Sequence, residues 1–189
     1  MEVAEIYSKL ANRMVQGMMF HEQMANSYNF LGMKGYEMCH EYHFLEETCN
    51  YRKLCRYFVD HHNKLIPYSD IDDPDTIPES WYRYTRQDVD AGTKKNAVKV
   101  NLERWVSWEK GTKELYESCY RELMEAGEVA SALFVAEFIR DVDCELKKAE
   151  KYHLNKVSTS YDLIAIMDEQ VHKRDKYREK LRDVGKTLC

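Results

Sequence analysis

Helical periodicity, broken at only two points on either side of a proline-bearing segment, is the feature that most restricts the fold of this chain. Apolar residues recur at helical spacing from about residue 2 to residue 62 and from about residue 97 to residue 155. Gly32 and Gly35 interrupt the first stretch, and Gly127 divides the second. Because glycine at such a point ends one helix and lets the chain reverse, the sequence predicts two antiparallel helical hairpins.

The segment between the hairpins carries all three prolines and an acidic cluster, and it has no sustained period. It reads LIPYSDIDDPDTIPESWYRYTRQDVDAGTKK. Its length, about 30 residues, is enough to cross the full length of a ~45 Å helix. Only seven glycines occur in the chain, too few for the many turns of an all-β fold. We therefore predict an all-α fold, a four-helix bundle with one long crossover.

A fifth helix is predicted after the bundle. The segment STSYDLIAIMDEQ opens with serine and threonine, which are good N-cap residues, and then becomes apolar at helical spacing. This helix should run from about Ser160 to about Val184. We therefore divide the chain into a four-helix bundle, residues 1–157, and a C-terminal helical extension, residues 158–189.

The composition excludes several classes of function. The net charge is −5, and phosphate binding needs a basic surface, so we expect no nucleic-acid partner. The opening MEVAEIYSKL lacks the basic region and apolar run of a signal peptide, and no stretch approaches the ~20 apolar residues of a membrane span. We therefore expect a cytoplasmic protein that does not enter a membrane.

The cysteines are expected to be free thiols. They show no CxxC pairing, and most of them lie within helical periodicity, where a reduced cysteine packs as a small apolar residue. The six positions are Cys39, Cys49, Cys55, Cys119, Cys144 and Cys189.

Each predicted bundle helix places at least one metal-ligand residue type among its inward positions. These residues are His21 in the first helix, His43 and Glu47 in the second, Glu109 in the third, and Asp141 and Glu145 in the fourth. Because antiparallel neighbours rise equally per residue, the distance from a turn gives the height in the bundle. By this measure His21 faces Glu47, and Glu109 lies about one turn from the level of Asp141.

Three carboxylates buried without cations would each cost several kcal/mol, and a divalent metal would remove that cost. Other interpretations exist for the single residues. His21 can be a core histidine with satisfied hydrogen bonds, Glu46 can lie in solvent, and Asp141 or Glu145 can pair with Arg140 or a lysine. The convergence of ligand types from four helices favours the metal site.

Two stretches resemble the ferritin family, specifically bacterial-type non-haem ferritins. The stretch EKGTKELYESCYRELMEAGEVASALFVAEFIRDVDCE is similar, without gaps, to the segment joining the third and fourth ferritin helices. Residues from Met33 to about Asn63 resemble the second ferritin helix, with Gly35, Glu46 and Glu47 in register. The chain is thus identified as a member of the ferritin-like superfamily.

This resemblance implies a dinuclear iron centre that binds two Fe(II) ions and oxidises them with dioxygen. By position, Glu47 matches the bridging glutamate of the second helix, Glu109 the glutamate of the third and Asp141 the carboxylate of the fourth. Glu46 and Glu145 match acids of an accessory iron site. Mn(II) or Zn(II) would also suit carboxylate and imidazole ligands. The resemblance further implies iron storage in a hollow shell, and hence a homo-oligomer.

The ligand pattern departs from that of the family at two positions. Asn50 stands where the family has the histidine of its Glu-x-x-His motif, and Met14 or Gly17 stands at the position of the glutamate in the first helix. His21 and His43 lie at nearly the same height and are expected to replace the missing ligands.

Three functions remain open from the sequence. The first is a diiron protein that binds and oxidises Fe(II). The second is a metal-free ferritin-like scaffold that acts in assembly or partner binding. The third is an oxidase of an organic substrate, for which the inward Tyr28, Tyr51 and Tyr116 would be the redox-active candidates.

Overall fold

The computed structural model describes residues 2–67, 89–154 and 161–172, together with residue 179. Over these residues the chain is helical and contains no strand, which confirms the predicted all-α class. The helices are α1 (Val3–Phe30), α2 (Lys34–His62), α3 (Ala91–Glu125), α4 (Val129–Lys147), a π-helical segment (Lys148–Leu154) and α5 (Tyr161–His172).

The two hairpin turns have the same construction. Gly32 and Gly127 have φ angles of +70° and +78°, in the left-handed region that favours glycine. In each turn the amide that follows the glycine donates a hydrogen bond back to the preceding helix. Met33 N donates to Tyr28 O, and Glu128 N donates to Leu123 O, each at 2.9 Å. This pattern is the Schellman motif, so both predicted reversals occur where the glycines placed them.

The helix bounds differ from the predicted ones at α3 and α4. The third helix begins at Ala91, earlier than expected, because the Asp90 side chain accepts the Thr93 amide at 2.7 Å and caps the first turn. The fourth helix changes to π geometry at Lys148, before its expected end. The crossover between the hairpins falls mostly on residues 68–88, outside the described residues.

Two apolar clusters fill the bundle, one toward each end. Along α2 the buried residues of one cluster end at Tyr42, and those of the other begin at Leu54. Along α3 the corresponding gap runs from Trp108 to Tyr116. The gaps lie side by side across the hairpins, so the bundle has a central polar band between two apolar ends.

The fifth helix packs against the start of α2. Met33, the residue before α2, gives no side-chain cap, and the Asp168 carboxylate of α5 instead accepts the Tyr36 amide at 2.9 Å. Ile164, Met167 and Val171 of α5 belong to the apolar cluster at that end. The α5 carboxylate therefore supplies the cap that α2 lacks locally. The division into residues 1–157 and 158–189 stays a prediction.

Five of the cysteines lie in the described residues, and all five are free; Cys189 lies outside them. Among the described helices, none has the length and apolar character needed to cross a membrane.

We predict that Gly35→Ala destabilises the protein by about 1–3 kcal/mol, because overpacking of this kind costs that much. A Cβ at residue 35 would lie 1.9 Å from the backbone oxygen of Asp168, so α5 would have to move. The measurement is the free energy of unfolding from urea denaturation.

Gly92→Ala is the matched control, since Gly92 occupies the equivalent second position of α3 and its added Cβ would meet only Asp90 Oδ1, at 3.5 Å. This variant should be neutral or more stable by about 0.4–1 kcal/mol. Equal effects at the two positions would show that α5 does not pack on α2 as described.

Candidate metal centre

A small cavity of about 30 Å³ lies in the polar band, with space for an ion or a water molecule. It is lined by residues of all four bundle helices. All seven ligands predicted from the sequence border it, namely His21, His43, Glu46, Glu47, Glu109, Asp141 and Glu145. Asn50, at the position of the missing family histidine, borders it as well.

His43 is the centre of the closest group of ligand atoms. Its Nε2 lies 2.9 Å from Glu145 Oε2 and its Nδ1 lies 3.3 Å from Glu46 Oε2. One ligand atom from each of these three residues lies within 4.8 Å of the others. Burial disfavours the charged imidazolium, but the Glu145 and Glu46 carboxylates outweigh burial and raise the pKa of His43 well above its usual range.

Each carboxylate in this group accepts a hydrogen bond on the oxygen that does not face His43. Tyr42 donates its hydroxyl to Glu46 Oε1 at 3.1 Å, and Lys148 donates to Glu145 Oε1 at 2.6 Å. In each case the Oε2 atom is the one that faces His43. The pKa of Glu145 is well below its usual range, because His43 and Lys148 overcome the effect of burial. Such outer contacts orient ligand oxygens toward a metal.

Three buried atoms at the cavity have no hydrogen-bond partner: His43 Nε2, Glu145 Oε2 and Glu47 Oε2. The first two are only 2.9 Å apart, yet they are not aligned for a hydrogen bond. His43 Nε2 and Glu145 Oε2 still attract each other as an ion pair. The cost of about 1–3 kcal/mol for a buried polar group that lacks a partner therefore applies to Glu47 Oε2.

Glu47 and Glu109 form the second acidic group. Burial is the main influence on both, and it raises the pKa of Glu47 to about 8 and that of Glu109 to about 7, with neighbouring carboxylates adding to the effect. Trp105 Nε1 donates to Glu109 Oε1 at 2.9 Å. Glu47 packs against α1 at Gly17, where a Cβ would lie 3.1 Å from the Glu47 Cδ atom.

Arg13 of α1 brings a positive charge to this second group. Its Nε donates to Thr112 Oγ1 and its Nη2 to the Trp108 carbonyl, each at 2.9 Å, and its guanidinium stacks 3.4 Å from the centre of the Trp108 ring. Its charge acts on Glu47 and Glu109 against the effect of burial. Sequence reasoning did not identify Arg13, although its spacing of four residues from Gly17 places both on one helix face.

His21 lies between the cavity and a second buried imidazole. Its Nδ1 is 3.0 Å from His40 Nδ1, so one of the two atoms donates and the other accepts. Its Nε2 lies 3.8 Å from Glu109 Oε1. Burial lowers the pKa of both histidines well below the usual range. A proton on His21 Nδ1 leaves its Nε2 lone pair directed to the cavity. His40, three residues before His43 on α2, was not among the candidate ligands.

Asp141 and Glu145 lie on the same face of α4 but differ in burial. Asp141 is exposed and borders the cavity on its solvent side, whereas Glu145 reaches His43. The carboxylate of α4 closest to the buried histidine is therefore Glu145.

No protein-family model matches the chain, and no curated protein matches it. Solved structures do. A humanized archaeal ferritin is 17% identical, with a TM-score of 0.73 over 91% of this chain and 96% of that one. An open-pore ferritin from the hyperthermophilic archaeon Archaeoglobus fulgidus is 14% identical, with a TM-score of 0.74 over the same shares. The chain has the ferritin-like fold.

In this ferritin-like bundle, the donors suit a divalent metal ion at the His43 group. Imidazole and carboxylate are the donor types that Fe(II), Mn(II) and Zn(II) share in proteins. Two of the atoms that face one another in this group have no other hydrogen-bond partner. The residues present therefore fit a metal ion on chemical grounds.

Without metal, this ferritin-like protein should lose stability as the pH rises from about 7 to about 8.5. Glu47, Glu109 and His43 all have pKa values above those of the unfolded chain. The folded state therefore holds protons that the unfolded state has released, and the free energy of unfolding falls with pH. His21 and His40 act in the opposite direction, but only below their unfolded pKa of about 6.5.

The measurement is urea denaturation in EDTA at several pH values. Glu47→Gln removes the group with a pKa near 8, so its slope over this range should be smaller than that of the wild type. Equal slopes would show that Glu47 is not buried against the cavity as described.

Proposed function

We propose that this ferritin-like protein binds Fe(II) as a substrate at the candidate metal centre and oxidises it with dioxygen. The observation that carries the proposal is the His43 group, in which one ligand atom from each of three residues lies within 4.8 Å of the others and Tyr42 and Lys148 hold the two carboxylates. Each Fe(II) would give up one electron on becoming Fe(III), so two ions oxidised in succession, together with two protons, would reduce one dioxygen to hydrogen peroxide. Solved proteins of the same fold bear the name ferritin, which supports a role linked to iron.

His43, Glu46 and Glu145 would hold the ion, and the exposed Asp141 would lie on its route from solvent. Mn(II) and Zn(II) suit the same donors. The resemblance implied a dinuclear centre of Glu47, Glu109 and Asp141, with His21 and His43 in support. The function proposed here requires only one ion at the His43 group. Cytoplasmic location and the absence of a nucleic-acid partner remain predictions from the sequence.

Metal should stabilise the wild type by RT ln(1 + [L]/Kd), or about 2.7 kcal/mol at a hundredfold excess over Kd. Fe(II), without oxygen, and Mn(II) would be titrated into EDTA-treated protein while the melting temperature is recorded. His43→Gln and Glu145→Gln should each abolish the rise, measured against the metal-free melting temperature of the same variant.

Glu137→Gln is the control, because Glu137 lies on the same helix but pairs with Lys53 at the surface. It should keep the full metal-dependent rise. The same proteins would then be mixed with Fe(II) in air, where the wild type should oxidise iron faster than His43→Gln. A wild type whose melting temperature does not respond to either metal would contradict the proposal.

A metal-free scaffold is the second candidate, and internal charge compensation favours it. His43 lies between two carboxylates, and Arg13 acts on the other two. The band therefore carries cationic groups of its own. If neither metal changes the melting temperature in the titration above, the metal-free scaffold becomes the favoured function.

We also propose a homo-oligomer. Val129 and Leu133 lie one turn apart on α4 with 51% and 61% of their surfaces exposed, and Val59 of α2 is 40% exposed. Exposed apolar side chains at helical spacing are typical of a contact between subunits. Sedimentation equilibrium at micromolar concentration should give a mass above the 22.5 kDa of one chain. A monomer throughout would refute this proposal.

A further inference from the structure

We propose that the centre takes one metal ion per chain, at His43, Glu46 and Glu145, and that the Arg13 guanidinium occupies the role of a second cation beside Glu47 and Glu109. This inference rests on the proposed function, because it concerns the number of ions at the same site. It departs from the dinuclear centre implied by the sequence.

The first group is complete for one ion. Its three ligand residues come from α2 and α4, and each carboxylate has one oxygen fixed by another side chain and one directed at His43. It is also the sole group of three such residues with ligand atoms this close within the described ranges. One divalent ion would replace the His43 proton between Glu46 and Glu145, and Lys148 would stay paired with Glu145 Oε1.

The second group lacks a third ligand. Glu47 and Glu109 come from α2 and α3. The α1 imidazole of His21 lies 3.8 Å from Glu109 Oε1, but within the described residues these three do not form a group of ligand atoms as close as the first. At the level of Glu47, α1 presents Gly17, which has no side chain. Met14, the other candidate position, is fully buried in an apolar cluster. Asn50 replaces the imidazole that would follow Glu47 on α2.

Arg13 holds the position next to this second group. Its hydrogen-bond partners on α3, Trp108 and Thr112, flank Glu109 in sequence, and the charge of the fixed guanidinium acts on both Glu47 and Glu109. A guanidinium stays charged at any physiological pH. A second divalent ion would therefore meet a permanent like charge that cannot leave by losing a proton.

The size of the cavity agrees with this assignment. About 30 Å³ has space for one ion or one water molecule, and Glu47, whose Oε2 has no hydrogen-bond partner, borders the same space. The unpartnered Glu47 oxygen therefore faces the space of the single ion and does not need a second metal.

The test counts Mn(II) ions by isothermal titration of EDTA-treated protein, with pulsed EPR of the bound Mn(II). Wild type should bind one equivalent, with a nitrogen coupling that disappears in His43→Gln. Glu145→Gln should bind none, and Glu47→Gln should still bind one. Two equivalents in the wild type, or loss of the single equivalent in Glu47→Gln, would overturn the inference while leaving the proposed function standing.

Arg13→Met tests the charge directly, because methionine can cover the Trp108 ring without a cation. This variant should gain a second, weaker equivalent, whereas Arg13→Lys should bind one. A folded Arg13→Met protein that still binds one ion would refute the role of Arg13. If Arg13→Met does not fold, the wild-type stoichiometry and the Glu47→Gln result decide. No Mn(II) or Fe(II) binding by the wild type would instead refute the proposed function.

Discussion

The structure depends on how the bundle carries charged side chains across its centre. Two apolar clusters close the ends, and between them acids and imidazoles from four helices share a narrow band. Isolated charges in such a position would cost more than most single interactions in a protein contribute. The band is tolerated because almost every charge in it has a partner or a raised pKa. His43 lies between two carboxylates, and burial raises the pKa of Glu47 and Glu109.

The helical scaffold could be predicted because its signals are local. Glycine with positive φ at each turn, together with uninterrupted periodicity on both sides, is enough to define a hairpin. Heights measured from the turns placed His21, Glu47, Glu109 and Asp141 near the middle of the bundle, and all four border one cavity, since the rise per residue is nearly the same in all helices. The α3 boundary was placed too late because the capping role of Asp90 was not recognised.

What could not be predicted depends on distances between helices. Asp141 and Glu145 lie on one face of α4, and only the packing of α4 on α2 makes Glu145 the residue that reaches His43. The place of Gly17 beneath Glu47 follows from the close approach of α1 and α2, which no spacing in the sequence reveals. The same is true of α5, whose Asp168 caps a helix far away in the chain.

Helix α1 differs from the other three bundle helices in what it brings to the band. Where α2, α3 and α4 contribute carboxylates, α1 contributes the imidazole of His21, a gap at Gly17 and a cation at Arg13. These two features depend on each other. A side chain at residue 17 would have to displace Glu47, whose Cδ would lie 3.1 Å from the new Cβ, and Arg13, whose charge acts on Glu47, lies one turn before residue 17 on the same helix. Restoring a carboxylate to α1 therefore requires coordinated change at Gly17, Glu47 and Arg13, because each holds the space or the charge balance of the others.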